Sequence, residues 1–545
     1  MQCATTIGCE ATVPVPFIPK HENLSLTCRS EYVLILAALW PQWVLGAQAK
    51  AALPNIVYIL ADDLGYGDVA CYNRHSKIPT PHLDRLAAEG IRLTDVHDPT
   101  AVCTPTRYSI LTGRCCWRIR LQRGVLPQWS ETLIEPGRLT VPALLKSRGY
   151  HTAAFGKWHL GWRWTTTDGQ PARFADGKCN VDFTKPLREG PVAQGFDYFF
   201  GNDAPFHPPY CFIENDRIVG LPTEILPLAR LQQMQQEGKV GPLETRPGPM
   251  IPGWDLFHYL PEVTSRCAGY IESRAAQSPR RPFFIYLALP SPHTPIVPSP
   301  EFRGKSQAGI YGDWVYQTDW SIGQVLAALE RSGLMANTLV IATSDNGPEK
   351  FAYERIREFG HYSMGDLRGV KRDAWEGGHR VPFIARWPGK IRPGSVCNEV
   401  VCQTDLMATC AAIVGARLPD NAGEDSYNIL PALLGEKLEK PIREATVMHS
   451  ASGRFAIRQG PWLLIASPTG DDNKEPDWFK QERGYRPHSF PGELYQLSDD
   501  LAERRNLYGE RPEVVDRLGK LLQRYIDQGR STPGTPQPND VPVQR

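Results

Sequence analysis

The segment Cys103-Thr104-Pro105-Thr106-Arg107, continued by Tyr108-Ser109-Ile110-Leu111-Thr112-Gly113-Arg114, sets a potential nucleophile where a helix should begin. Thr104 reads as a cap, Pro105 suits the first helical position, and Ile110 and Leu111 carry a short helix to Gly113. A helix N-terminus offers free N–H groups and the positive end of the macrodipole, so it favours a bound anion. Arg107, one turn along, is expected to put a two-pronged fork on that anion's oxygens. Asp62, Asp63, Asp345 and Asn346 offer only oxygen donors, which suit calcium or magnesium better than zinc. Taken singly, Asp62-Asp63-Leu64-Gly65 and Asp345-Asn346-Gly347 also read as turns after strands. Lys157, His159, His293 and Lys371 would add point charges and proton exchange near neutral pH. Each histidine read alone is as readily structural, and Cys103 read alone as readily bridged or buried.

These residues need a scaffold, and the apolar patterning supplies one. Continuous apolar runs predict strands at Asn55–Ala61, Ile91–Val96, His151–Phe155, Phe283–Leu289 and Thr338–Thr343. Helical spacing predicts helices over Pro81–Glu89 and Thr140–Ser147, and another that carries Val315, Thr318, Ile322, Val325 and Leu329 on one face and stops at Gly333. The alternation is that of an α/β fold with a large, mostly parallel, doubly wound sheet flanked by helices. Asp62, Asp63, Cys103, Lys157, His159, His293, Asp345 and Asn346 each follow the C-terminal end of a predicted strand, where open α/β sheets hold their ligands.

The Cys-Thr-Pro-Thr-Arg segment resembles the signature of the type I, formylglycine-dependent sulfatases, closest to the arylsulfatase A-like branch. Gly156-Lys157-Trp158-His159-Leu160-Gly161, Ser291-Pro292-His293-Thr294-Pro295, Ser344-Asp345-Asn346-Gly347 and Trp375-Glu376-Gly377-Gly378-His379-Arg380-Val381-Pro382 are similar to that family's further segments and stand in its order, between about Pro54 and Leu507. Gly195-Phe196-Asp197-Tyr198-Phe199-Phe200-Gly201 is another, of structural type. The resemblance implies an alkaline phosphatase-like fold with a smaller C-terminal antiparallel sheet plus helix. It implies oxidation of Cys103 to formylglycine by a formylglycine-generating enzyme, Ca2+ (or Mg2+) held by Asp62, Asp63, Asp345, Asn346 and the modified Cys103, and hydrolysis of sulfate monoesters. Within it, Arg107 and Lys157 would hold the sulfate, Asp345 would assist as base, His293 with Lys371 would protonate the leaving alcohol, and His159 would deprotonate the second hydroxyl of the hydrate. Thr106 stands where serine is commoner and keeps the hydroxyl. Two alternatives stay open: a phosphate or phosphonate ester hydrolase of the same superfamily, and a non-catalytic sulfated-glycan-binding protein.

Composition frames this reading. With 60 basic and 59 acidic residues the chain has no charge bias toward a nucleic acid or a membrane surface, so an anionic substrate must be held locally. The apolar run Tyr32–Ala47 followed by Ala47-Gln48-Ala49 reads as a secretory signal, too short and broken for a stable membrane span, and implies a secreted or periplasmic protein. Cys115-Cys116 and the group Cys397, Cys402 and Cys410 are candidates for bridges. The chain divides into an N-terminal extension with signal (1–49), a catalytic part (50–440), a C-terminal α+β part (441–530) and a proline-rich tail (531–545) expected to be disordered. Gly470–Pro491 reads as an exposed loop. Phe206, Tyr210, Phe212 and Trp254 lie in long loops and would suit stacking on a sugar or aryl ring of the sulfated substrate.

Overall fold

The computed structural model describes residues 52–544, and the signal-peptide expectation falls outside them. The first strand explains the architecture. In β1 (Asn55–Asp62) all eight residues are buried, so both faces must be covered. Ile56, Tyr58 and Leu60 enter one core, and Val57, Ile59 and Ala61 enter the other. Each such side chain contributes about 1.5–3 kcal/mol by leaving water.

Chain order continues with β2 (Ile91–Leu93), β3 (His151–Lys157), β4 (Tyr198–Asn202), β5 (Phe212–Glu214), β6 (Arg217–Val219), β7 (Phe283–Pro292), β8 (Thr338–Ser344), β9 (Phe383–Arg386) and β10 (Ser395–Cys397). The ten strands form one sheet in the order β10-β2-β9-β8-β1-β7-β3-β4-β5-β6. The central strands β8, β1, β7, β3 and β4 are mutually parallel, while β9 and β5 run against their neighbours. The expected doubly wound sheet is present, with mixed edges. Gly156 sits in β3 at φ 91°, and a Cβ there would lie 2.0 Å from the Ala288 carbonyl of β7, so only glycine lets these strands close.

Helix α1 (Pro81–Ala88) and the later helices α4 (Tyr259–Ala275) and α5 (Gly309–Arg331) cover one face. Helices α2 (Cys103–Thr112), α3 (Val141–Ser147) and α6 (Leu406–Ile413) cover the other. A second, antiparallel sheet of β11 (Thr446–His449), β12 (Phe455–Gln459), β13 (Trp462–Ile465) and β14 (Glu493–Gln496) is backed by α7 (Pro512–Asp527). Leu518, Leu522 and Tyr525 of α7 share its core with Trp117 and Cys115, which follow α2. The described residues cluster as one compact unit, so the sheets do not separate into independent bodies.

Several expectations are corrected. Thr104 does not cap α2: the helix starts at Cys103 with Val102 as its cap residue, and the Thr104 hydroxyl accepts from Leu126 N (3.3 Å). None of the ten described cysteines is bridged, and Cys115 and Cys116 are buried as apolar groups. The tail is ordered, because polar contacts fix it: Arg114 donates to Pro538 O and Asp540 (2.9 Å each), Gln544 N donates to Gln122 (2.8 Å), and Val543 packs on the second core. Gly470–Pro491 contains the helix Asp477–Arg483 and supports the site from behind, with Asn473 donating to Lys371 O (2.6 Å). Tyr210 is fully buried, and the half-buried Phe212 stacks on Tyr259 and packs beside Trp254, so these three rings pack in or against the core; of the four, only Phe206 lines the cavity at the ends of the parallel strands.

Candidate active site

Four parallel strands deliver charged or polar groups to one mouth. β1 ends in Asp62 and Asp63, β3 in Lys157 and then His159, β7 leads to His293, and β8 to Asp345 and Asn346. Cys103 arrives differently, on the first turn of α2, after a small two-stranded pair formed by Val96–His97 and Val401–Cys402. Asp62, Cys103, Lys157, His159, His293 and Lys371 line a cavity of about 260 Å³.

The charges at the strand ends are paired with one another. Lys157 Nζ donates to Asp62 (2.6 Å), and Lys371 Nζ lies 2.8 and 2.9 Å from the two Asp63 oxygens. Arg107 Nε and Nη2 both reach Asp345 Oδ2 (2.9 and 2.6 Å), while Nη1 donates to Lys157 O (3.1 Å). Asn346 Nδ2 donates to Asp63 (2.7 Å). Cys103 Sγ lies 3.3 Å from His159 Nδ1, whose other nitrogen is 3.3 Å from Leu126 O. His293 Nε2 stands 3.8 Å from Asp63, with 14% of its side chain exposed.

Arg107 is therefore not placed as the sequence suggested. It is fully buried behind the cavity, and its fork braces Asp345 rather than facing an incoming anion. Lys157 and Lys371 line the cavity instead.

Burial sets the protonation pattern. It raises the Asp62 carboxyl, but Lys157, His293 and Arg107 override it and hold that group far below its ordinary range. Burial and then Asp62 push Asp345 well up against the pull of Arg107. Burial and Lys157 bring His159 down to about 3, which leaves it neutral and able to accept a proton. Burial lowers Lys371, yet Asp63 and Glu349 more than compensate and keep it charged.

Two oxygens stand out for having no partner. Asp62 Oδ1 and Asn346 Oδ1 are buried without a hydrogen bond, and a buried acceptor left unmatched is costly. The Asp62, Cys103 and Asp345 ligand atoms lie within 4.8 Å of one another. An oxygen-rich set with orphaned acceptors fits a hard divalent cation. Asp63 contributes less, since Lys371 and Asn346 already take its oxygens. Three side chains here hold backbone that favours glycine: Asp63 (φ 68°), His159 (φ 52°) and Arg372 (φ 85°), a strain that clusters at functional sites.

Sequence reasoning missed Glu349 and Arg372, which pair beside Lys371, although the adjacency of Arg372 to Lys371 was a usable signal. Of the rim groups Gln128, Asp203, His207 and Arg246, the last three fall in the long loops Asp203–Thr223 and Leu231–Trp254 that the sequence marks for substrate specificity, but no pattern singles out the individual residues.

Comparison with known proteins agrees with this geometry. The Sulfatase family model matches residues 54–416. N-acetylgalactosamine-6-O-sulfatase of Bacteroides thetaiotaomicron is 35% identical over 507 residues, spanning 86% of this chain and 92% of that one. Human arylsulfatase A is 34% identical over 502 residues, spanning 88% and 89%. A solved chain described under metabolism of multiple glycosaminoglycans by Bacteroides thetaiotaomicron superposes with TM-score 0.72 at 34% identity, covering 87% of this chain and 99% of that chain. Among the described residues no helix is long and apolar enough to cross a membrane. A cysteine at a buried helix start, facing a neutral histidine in a ring of oxygen donors and lysines, is thus carried by a chain that belongs to the sulfatase family, enzymes that hydrolyse sulfate esters.

Proposed function

We propose that Cys103 is oxidised to formylglycine by a formylglycine-generating enzyme, and that its hydrate cleaves sulfate monoesters of a sulfated amino-sugar glycan, with small aryl sulfates as surrogates. The observation that carries this reading is the 3.3 Å approach of His159 Nδ1 to Cys103 Sγ, where Sγ stands in for the hydrate oxygens that would replace it. The glycan preference is supported by the relative that acts on N-acetylgalactosamine 6-sulfate and by the polar rim of Gln128, Asp203, His207 and Arg246. Export to a secreted or periplasmic location belongs to the same reading and rests on the N-terminal apolar run.

Asp62, Asp345, Asn346 and the modified Cys103 would hold Ca2+ or Mg2+, with Asp63 alongside, and the ion would acidify the hydrate hydroxyl and offset sulfate charge. Without it the cradle is close to neutral, since Asp62, Asp63 and Asp345 are matched by Arg107, Lys157 and Lys371. One hydrate oxygen attacks sulfur in line and passes its proton to the Asp345 carboxylate, which the Arg107 fork holds in place. The bond from sulfur to the sugar oxygen breaks, and His293, with Lys371 nearby, protonates the departing alkoxide. Neutral His159 then takes the proton of the second hydroxyl, the carbon–oxygen bond to sulfate breaks with its electron pair leaving on sulfate, and the aldehyde returns. Water restores the hydrate. Lys157 faces the non-bridging oxygens.

Peptide mass spectrometry of the Cys103 fragment, on protein made with a formylglycine-generating system, tests the nucleophile: a loss of about 18 Da, thiol to aldehyde, is expected. An intact thiol in a competent host would sink the mechanism. Turnover of a matched sulfate and phosphate ester pair decides between sulfatase and phosphatase chemistry, with the sulfate ester expected to win.

A further inference from the structure

A second cluster of metal-ligating side chains lies outside the cavity. His97 comes from the short strand after β2, and Glu376 and His379 from the four-residue helix Glu376–His379; all three are buried. The outer nitrogen of each ring is already committed. His97 Nε2 lies 2.8 Å from Asp95 Oδ1, and Asp95 is held ionised against its burial by Arg380, 3.4 Å away, by His97 itself and by Arg458, whose Nη2 reaches it at 2.7 Å. His379 Nε2 lies 3.1 Å from the Ala374 carbonyl, which can only accept. Both Nε2 atoms must therefore carry the hydrogen, and in neutral rings both Nδ1 atoms present lone pairs. Those two Nδ1 atoms face each other at 3.1 Å. The third inward group is Glu376 Oε1, 3.9 Å from His97 Nδ1, fully buried and without a hydrogen-bond partner. Its sister oxygen Oε2 is the one that binds Arg380 (2.9 Å) and Arg458 (3.2 Å).

Three acceptors converging with no donor is an arrangement that folding should not leave as it stands. We propose that His97 Nδ1, His379 Nδ1 and Glu376 Oε1 form a second metal site, taking a nitrogen-preferring divalent ion such as Zn2+. Two nitrogens and a carboxylate are a zinc ligand set, and neighbouring ligands on a tetrahedral ion lie roughly 3.3 Å apart at bond lengths of about 2.0–2.1 Å. Asp95 and the Ala374 carbonyl are the outer partners that orient metal-bound imidazoles. The catalytic mouth, rich in oxygen donors, selects a harder ion, so the two sites should sort metals by chemistry. A role follows from position. Gly347 N, next to Asn346 at the end of β8, donates to Gly378 O (2.9 Å), and Asp98 N donates to His379 O (2.7 Å). An ion here would pin the loop on which Asp345 and Asn346 rest. A single proton shared between the two rings is the competing occupant, and it would leave Glu376 Oε1 unmatched.

The test uses full-length protein. After exchange into buffer containing Ca2+ alone, elemental analysis should find about one equivalent of retained Zn2+. Chelated protein reloaded with Co2+ should show the visible bands of nitrogen-ligated tetrahedral cobalt. Those bands should survive Asp345→Asn, which touches only the catalytic mouth, and vanish in His379→Ala. Should His379→Ala fail to fold, Asp95→Asn replaces it, with Co2+ affinity expected to fall about 10–100-fold. Folded protein that retains no Zn2+ and gives no such bands, or bands indifferent to these substitutions, would overturn the site and leave the shared proton in its place.

Discussion

Arg107→Met separates a brace from an anion clamp. In the native protein Arg107 and Asp345 are both fully buried, and burial and then Asp62 push the Asp345 carboxyl up against the pull of Arg107. Deleting the guanidinium removes the cation that opposes this rise and strands the carboxylate. Breaking a buried pair in this way costs about 3–5 kcal/mol of stability, readable as a shift in the urea unfolding midpoint. Losing a preorganised charge contact at the reacting centre should also lower kcat about 10²–10³-fold. KM should move little, because no nitrogen of Arg107 faces the cavity. Arg107→Lys should not restore function: two nitrogens reach Asp345 Oδ2 at 2.9 and 2.6 Å and a third reaches Lys157 O at 3.1 Å, whereas a single ammonium nitrogen lacks the planar fork that spans these positions. Rates on a small aryl sulfate should be scaled to the fraction of Cys103 converted, measured by mass spectrometry. A raised KM with unchanged kcat and unchanged stability would refute the brace and return Arg107 to the substrate.

Removing divalent ions should abolish turnover reversibly, and Ca2+ at a hundredfold its dissociation constant should add about 2.7 kcal/mol to stability; Asp62→Asn should eliminate that gain in a calcium titration followed by unfolding. Gly347→Ala should disrupt the site without touching its chemistry, since the added Cβ would sit 1.9 Å from Gly377 O; a displacement of about 1 Å in the Asn346 loop can cost about 10²-fold in kcat, and undiminished kcat would contradict the packing. Burial lowers His449 from 6.5 to about 4, so the folded state binds fewer protons than the unfolded one, and stability present above pH 6.5 is lost as the pH falls toward 4. At pH 5 the penalty is about 2 kcal/mol, and His449→Phe, beside the Phe455 ring at 4.6 Å, should flatten the pH dependence; an unchanged slope would reject the assignment.

The central sheet was legible because its strands are continuous apolar runs and its chemistry sits where they end: Asp62, Lys157, His293 and Asp345 were all placed by that rule. Edge strands such as β5, β6 and β10 were not, for they are three residues long and half exposed, so their pairing comes from neighbours rather than from pattern. The position of Cys103 was readable and the direction of Arg107 was not, since Asp345 lies 238 residues away and nothing local shows which acceptor the fork will meet. The tail misled for the same reason: proline and polar residues read as disorder, while Arg114, Gln122 and Arg530 supply the donors that fix it.

The clamp between Arg114 and Asp540 also has a timetable. The two residues are 426 positions apart, and at about 5–20 residues per second a ribosome needs roughly 20–90 s to travel from one to the other. Through that interval the helix bearing Cys103, every residue of which ends up buried, lacks its last tether. The order of synthesis thus reserves a period in which a cysteine later confined to the wall of a narrow cavity can still be reached in an extended chain, and a circular permutant that brought the tail first would shorten it.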